Sequence, residues 1–300
     1  MGLELQKILG NTYIISAPTN IGVYVNNQGA ILIDSGNDKE AGRQIIKLLK
    51  EKGWEIKMII NTHSNADHIG GNNYIQRRSN CRIAATQLEA AFIQNPIFEP
   101  AFLWGGFPCS TFTNKFLMAT PAKITDIIPS SGKILDTDLE AIPLPGHFFE
   151  MIGVKTPDNV LFLGDALFPE RIIHKYHFCF FYDLASQLQT LERLETLEAE
   201  VFVPSHGIMT KDIKNLITLN RDKIKEIISV ILSLCAKPTT LHLILEGLGK
   251  KYDLTFDANQ YLLISSTVKS YLAYLYEKGQ LEMFFSASNI TWQKRSNIKE

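Results

Sequence analysis

What this 300-residue sequence lacks removes several classes of explanation at once. It has no surplus of charge: 30 Lys and Arg stand against 31 Asp and Glu, a net of −1, so nothing global recruits nucleic acid or an anionic membrane. It has no apolar run of about 18 residues, so no transmembrane helix and no membrane partner are expected. The stretch Met1–Gly10 mixes Glu4 and Lys7 into its apolar residues and lacks the apolar core of a secretory signal. Cys81, Cys109, Cys179 and Cys235 lie far apart and form no C-x-x-C pair. They read as free thiols in a reducing compartment, and a cytoplasmic location is the expectation. What remains, 45% apolar and 20% charged, is the composition of an ordinary globular protein. Its length suits one large domain, or a large one with a small one attached.

Against that plain background one stretch stands out. Asn61–Gly71 reads N-T-H-S-N-A-D-H-I-G-G and places His63, Asn65, Asp67 and His68 within six residues. It follows Ile56–Ile60, an Ile-rich run expected for a strand buried on both faces. A strand that stops and delivers two imidazoles and a carboxylate into a loop suits a metal, because imidazole and carboxylate bind zinc at about 2.0–2.2 Å. Polar loop residues with no shared task are the plainer alternative. Gly70-Gly71 is expected to let the backbone turn tightly into a helix, Asn72–Arg78.

Taken in order, the chain opens with β-like runs at Thr12–Ser16, Gly22–Val25 and Ala30–Ile33, the last followed by Asp34-Ser35-Gly36. Asp38 can cap a helix running to Lys52, with Gly53 as the stop. Arg82–Ala85 reads as a strand, and Thr86 as the cap of a helix over Gln87–Gln94. Between Phe92 and Phe116 aromatics crowd in without clear periodicity, and Pro96, Pro100 and Pro108 rule out one long helix. Such a segment suits a lid or pocket wall; packing on the core is the equal alternative. Three later runs each end in a candidate ligand. Leu139–Leu144 leads to His147, Val160–Leu163 to Asp165, and Val201–Val203 to His206, with a helix over about Leu184–Leu197 between the last two. Functional groups gather beyond strand ends in sheets flanked by helices. His174 and His177, at H-x-x-H spacing, could line the pocket, and that spacing suits a metal on a helix, but two surface histidines are the plainer reading; His242 reads as structural, and Tyr176 and Tyr182 are candidate pocket donors.

After Gly207 the character changes. Helical spacing over Ile213–Leu234, Leu241–Lys250 and Tyr261–Lys278 is followed by strand-like Leu281–Phe285 and Ile290–Gln293, the outline of a winged helix. Residues 211–300 hold 13 Lys and Arg against 9 Asp and Glu, and 13 − 9 = 4 is a small surplus for a nucleic-acid module. A packing, dimerising or pocket-covering role fits better, which leaves a homodimer open.

On these residues the chain resembles the metallo-β-lactamase-fold hydrolase superfamily. Asp34-Ser35-Gly36, the loop at 63–68, His147, Asp165 and His206 follow its ordered motifs across roughly residues 10–210. With an appended C-terminal module, it is similar to hydroxyacylglutathione-hydrolase-like and lactamase-beta-like members. The resemblance implies an α/β, four-layer αβ/βα sandwich over residues 1–210 with the site at one edge, and a helical, winged-helix-like module over 211–300. It also implies a first metal at His63, residue 65 and His147, and a second at Asp67, His68 and His206, with Asp165 bridging. The loop departs from the family's H-x-H-x-D-H at Asn65, whose amide oxygen is a weaker donor to zinc than imidazole. One or two Zn2+ ions are expected, with Fe or Mn as alternatives, and Asn65 either ligates metal or contacts substrate.

The implied chemistry is metal-assisted hydrolysis of an ester, thioester, lactone or related small-molecule bond. The ion would lower the pKa of water to about 7, and Asp67 would orient the nucleophile or shuttle its proton. The aromatic stretch 92–116 favours an apolar or mixed small-molecule substrate over a polyanion. Two rivals stand beside it: a metal-dependent nuclease or phosphodiesterase, and a non-catalytic regulatory protein with a degenerate site.

Overall fold

In a computed structural model, which describes residues 3–286 and 289–295, short strands form two main sheets. The outer ends of the two expected domains, residues 1–2 and 296–300, lie outside the described residues. The first sheet has seven strands in sequence order: β1 (Glu4–Leu9), β2 (Thr12–Ser16), β3 (Ile21–Asn26), β4 (Gly29–Ile33), β5 (Ile56–Ile60), β6 (Arg82–Ala85) and β7 (Asp126–Ile127). Pairing is antiparallel as far as β4 and parallel beyond it. The change follows from the connections, because a helical crossover returns the chain to the same end of the sheet. These crossovers carry α1 (Lys39–Glu51), the single turn α2 (Ala66–Ile69), α3 (Asn72–Ser79), α4 (Gln87–Gln94) and α5 (Phe98–Trp104).

The second sheet has five strands: β8 (Gly132–Lys133), β9 (Glu140–Pro143), β10 (Ile152–Lys155), β11 (Val160–Phe162) and β12 (Val201–Val203). β9, β11 and β12 run the same way, so their C-terminal ends open on one edge. Helices α6 (Glu170–Tyr176) and α7 (Leu184–Leu194) precede β12.

Three apolar clusters define the layers. Ile14, Ile31, Met58 and Ile60 of the first sheet meet Ile152, Val154, Phe162 and Val203 of the second. On the far side of the first sheet, Val23, Leu32 and Ile59 pack with Ile45 and Leu49 of α1 and Ile75 of α3. On the far side of the second, Leu161 and Phe202 pack with Leu184 and Leu191 of α7. The result is the four-layer αβ/βα sandwich. Along β4, β5 and β11 core residues alternate between the two faces, as a sheet covered on both sides requires.

Beyond β12 come α8 (Lys214–Leu234), α9 (Leu241–Tyr252) and α10 (Ala258–Glu277), then a hairpin of β14 (Leu281–Ser286) and β15 (Asn289–Lys294) edged by β13 (Thr239–Thr240). Ile224, Ile227, Leu245, Val268 and Leu272 share one continuous core with α7.

The Asp38 cap expected from sequence is in use, and α9 is capped in the same way. Asp38 accepts from Ala41 N and Thr240 from Leu243 N, contacts worth about 1 kcal/mol each. Thr86 does not cap α4 with its side chain; its hydroxyl donates to Glu150 O. The Gly70-Gly71 pair also works differently from expectation. Both residues keep negative φ. The demand is for close approach, since a Cβ on Gly70 would lie 2.3 Å from Asn37 C, and one on Gly71 would lie 2.3 Å from Ser35 O. The residues at 63–68 are not wholly a loop either: Asn65 O accepts from His68 N and Ile69 N, which places Asp67 and His68 on a helical turn.

Candidate metal centre

The centre sits where the strand ends of the two sheets face each other. β5 delivers His63 and the turn α2 delivers Asp67 and His68. From the second sheet, β9 leads to His147, β11 to Asp165 and β12 to His206. Two of these exits depend on glycine. Gly146 has φ +126°, and a Cβ there would lie 2.4 Å from the backbone of Gln187. Gly164, with φ +55°, turns the chain from β11 toward Asp165. Asp34, after β4, holds a left-handed φ of 63° that only a few side chains tolerate. That turn lets its carboxylate accept from Thr62 N, Thr62 Oγ1 and His68 Nδ1, each at 2.8 Å.

All four imidazoles are pinned by Nδ1. His68 gives its Nδ1 proton to Asp34, His147 gives its own to Phe180 O at 2.8 Å, and His206 to Pro18 O at 3.0 Å. His63 Nδ1 lies 3.0 Å from Thr62 Oγ1. That hydroxyl has already spent its proton on Asp34, so it accepts from His63. A proton on Nδ1 leaves a lone pair on Nε2, and every Nε2 faces the centre. His68 Nε2 is 3.3 Å from Asp165 Oδ1, His206 Nε2 is 3.2 Å from Asp165 Oδ2, and His147 Nε2 is 3.6 Å from the same oxygen. Asp67 Oδ2 lies 3.4 Å from His206 Nε2 and is held by Thr19 Oγ1 at 2.8 Å.

His63 Nε2, His68 Nε2 and Asp165 Oδ1 are buried without a hydrogen bond. Buried polar atoms are normally satisfied, so three orphans converging on one point mark a place built for a cation. Two groups of ligand atoms each lie within 4.8 Å of one another: His63, His68 and Asp165, and Asp67, His68 and His206. His68 therefore stands between both groups, closer to His63 than the resemblance implies. The donor set of imidazole nitrogen and carboxylate oxygen fits a divalent ion.

The electrostatics agree. Burial first, then the neighbouring imidazoles, drive His63 well below its ordinary pKa, and burial also lowers that of His147. Burial opposes charge on His68 as well, but Asp67, Asp165 and Asp34 overcome it and hold His68 well above the usual value. His206 is pushed up to about 9, with burial outweighed by Asp165 and Asp67. Burial would raise Asp165, yet His206 and His68 keep it well below the carboxylate range. The cluster thus calls for positive charge and supplies none except protons.

Sequence reasoning missed two residues here. Glu89 of α4 accepts from Ser64 Oγ at 2.6 Å and from Glu150 N at 2.8 Å, and burial lifts it to about 7. Glu99 of α5 accepts from Asn65 Nδ2 at 2.7 Å and is raised well above its ordinary value, chiefly by burial. Their one signal was position: each acid shares the buried face of its helix, Glu89 with Ala90 and Ile93, Glu99 with Pro100 and Leu103.

Of the remaining candidates, His174 is exposed and near Glu170, His177 packs on Tyr252, and His242 is exposed; none joins the centre. Tyr182 belongs to an aromatic cluster, stacked on Phe149 at 3.9 Å, with Phe102, Phe92 and Phe148 continuing the ring contacts to His63. Tyr176 is partly exposed on α6. Helices α8 and α10 hydrogen-bond to segments next to the centre. Asn220 bonds both polar groups of Phe168, whose ring flanks His147 and His206. Ser270 accepts from Leu184 N, close to the strand of chain that holds His147.

The chain is similar to several known proteins. Curated relatives include hydroxyacylglutathione hydrolases of Nitrobacter hamburgensis, 28% identical over 150 residues, and of Rhodopseudomonas palustris, 27% identical over 150 residues. Each alignment covers 50% of this chain and 48% of the relative, so the chain spans about half the length of the curated relatives it matches. Among solved structures, a beta-lactamase domain protein from Burkholderia ambifaria superposes with a TM-score of 0.77 at 17% identity, covering 97% of this chain and 94% of that one. A metallo-beta-lactamase family protein from Thermus thermophilus gives 0.73 at 19% identity, covering 98% and 99%. These structures share the fold. The sequence model of the metallo-beta-lactamase superfamily matches residues 16–206, a span that holds Asp34, the 63–68 turn, His147, Asp165 and His206, and the chain belongs to that superfamily.

Proposed function

We propose that the protein is a metal-dependent hydrolase of a small-molecule thioester or ester, with one or two divalent ions, zinc first among them. The observation that carries this reading is the set of four Nδ1-pinned imidazoles with Nε2 turned onto Asp165. His63, His147 and Asn65 would hold a first ion, Asp67, His68 and His206 a second, with Asp165 between them. When bound, such an ion supplies Lewis acidity, acidifying water and polarising a carbonyl oxygen.

The chain's own residues supply the rest. Asp67 is the most open carboxylate of the centre, and Thr19 fixes its Oδ2. It is placed to orient water and to take its proton. Tyr182, Phe149 and Phe102 form an apolar face for an acyl or leaving group, and burial behind them excludes bulk water. The thioester preference is supported by the hydroxyacylglutathione hydrolases among its relatives and by this apolar wall. In this reading helices α8 and α10 support the segments around the centre.

The phosphodiesterase rival has one observation behind it. Lys39, Arg77 and Arg78 line a recess of about 510 Å3 with Tyr74, but none of the metal-ligand candidates lines it.

The test is turnover by metal-reconstituted full-length protein against thioesters, esters, lactones, phosphodiesters and a β-lactam. Cleavage of thioesters or esters, lost on chelation and restored by Zn2+, is expected. Cleavage of phosphodiesters alone would transfer the assignment to the rival.

A further inference from the structure

Two buried acids clasp the turn that carries the centre, at successive residues: Glu89 takes Ser64 and Glu99 takes Asn65. The second contact has a direction. A primary amide has a donor end and an acceptor end. Glu99 Oε1 lies 2.7 Å from Asn65 Nδ2, so the donor end is committed to the carboxylate. The acceptor end is left facing the centre, where Asn65 Oδ1 lies 2.8 Å from His147 Nε2. His147 has given its Nδ1 proton to Phe180 O, so that Nε2 carries a lone pair. Two lone pairs this close repel unless a cation is shared between them. Turned the other way, the amide would donate to His147 Nε2 and withdraw both donors from a cation.

We propose that Glu99 is a positioning residue of the His63/His147 side of the centre: by holding Asn65 Nδ2 it aims Asn65 Oδ1 at the divalent ion. An amide backed by a buried carboxylate then serves as a third donor beside His63 and His147. The backing compensates for a weak ligand in two ways. It fixes the amide's orientation before the ion arrives, and it keeps the amide's hydrogens occupied away from the ion. Glu99 is itself held in place. It lies on the buried face of α5 with Leu103, and Phe102 of the same helix packs on Phe149 and Tyr182.

This inference rests on the divalent-metal reading of the centre, and the ion of the Asp67/His68/His206 group is the internal control. The experiment is chelator-competition titration of metal-stripped, full-length protein with Zn2+ and Co2+, read as stoichiometry and as Co2+ absorption. Wild type, E99Q, E99M and N65H/E99M are compared. Wild type is expected to take up two ions. E99M should weaken one of them by about 10–100-fold, the usual effect of losing a partner behind a ligand, and leave the other unchanged. E99Q, isosteric and still able to accept from Asn65 Nδ2, should lose less. N65H/E99M should recover the weakened ion, because either tautomer of an imidazole offers one lone pair and imidazole is a stronger donor to zinc than an amide oxygen. Should E99M fail to fold, E99Q and N65H/E99Q give the same loss and recovery on a smaller scale. Equal binding of both ions by wild type and the Glu99 variants overturns the proposal and leaves the metal reading standing. So does a loss that N65H does not repair. Wild type that takes up no ion overturns both.

Discussion

The two sides of the centre are built on opposite electrostatic plans. On the His63/His147 side the imidazoles are shut behind Phe148, Phe168 and Phe180, and burial keeps them neutral. The third side chain there, Asn65, is neutral too. On the Asp67/His206 side the groups reach solvent, with side chains 39% and 21% exposed, and carboxylates drive His68 and His206 toward the charged form. A neutral donor set waits for an ion without competition from protons. A carboxylate-rich set attracts an ion strongly, but protons already occupy it. The comparison teaches that the two sites should differ in how they respond to pH and to the loss of one ligand, with Asp165 as the group they share.

Removing the shared group should have the largest effect. D165A leaves the charges of His68 and His206 without their buried counterion. Metal-stripped D165A should therefore be less stable than wild type by about 3–5 kcal/mol at pH 6, read by urea denaturation, and should hold neither ion tightly. If one ion stayed bound as in wild type, Asp165 would not be common to both sides.

A smaller, one-sided effect is expected of H206A. It should cost the Asp67-side ion and spare the ion at His63 and His147, halving the metal content measured on the purified protein. Loss of both together would erase the distinction between the sides.

How much of this was readable in the residues depends on how local each cause was. Ile56–Ile60 is a strand at the expected bounds because an Ile-rich run between turn residues admits few other structures. The His and Asp beyond β5, β9, β11 and β12 were legible because each follows its strand within a few residues, with a glycine just before it after β9 and β11. The strand Ile152–Lys155 was not, since it is four residues long with Gly153 in its middle, and only pairing with β9 and β11 makes it a strand. Helix α10 was placed to begin at Tyr261, yet it begins at Ala258, because Asp257 caps it through Gln260 N. Glu89 and Glu99 were out of reach for another reason. Their partners lie 25 and 34 residues away, and nothing local in α4 or α5 announces a bond to the 63–68 turn.

The mildest effect concerns pH. In the metal-free protein His206 has its pKa raised from 6.5 to about 9, so the stability it contributes is complete below pH 6.5 and is lost as pH rises through 9. Metal-free protein should show this decline and metal-loaded protein should not. Conversely, loading at pH 7 should release protons from the Asp67 side, and the His206 share of that release should fade as pH rises through 9, as calorimetry in buffers of different ionisation enthalpy would reveal. No proton release at pH 7 would mean that the two sides do not differ as described.

The central claim is that imidazoles from two sheets, pinned at Nδ1, share a carboxylate around divalent metal. An anomalous-scattering map from crystals of zinc-loaded protein addresses it most directly. The account predicts one peak bounded by His63, His147, Asn65 Oδ1 and Asp165, and a second bounded by Asp67, His68, His206 and Asp165. A map with no peak among these residues, or with imidazoles turned to present Nδ1 inward, would contradict it.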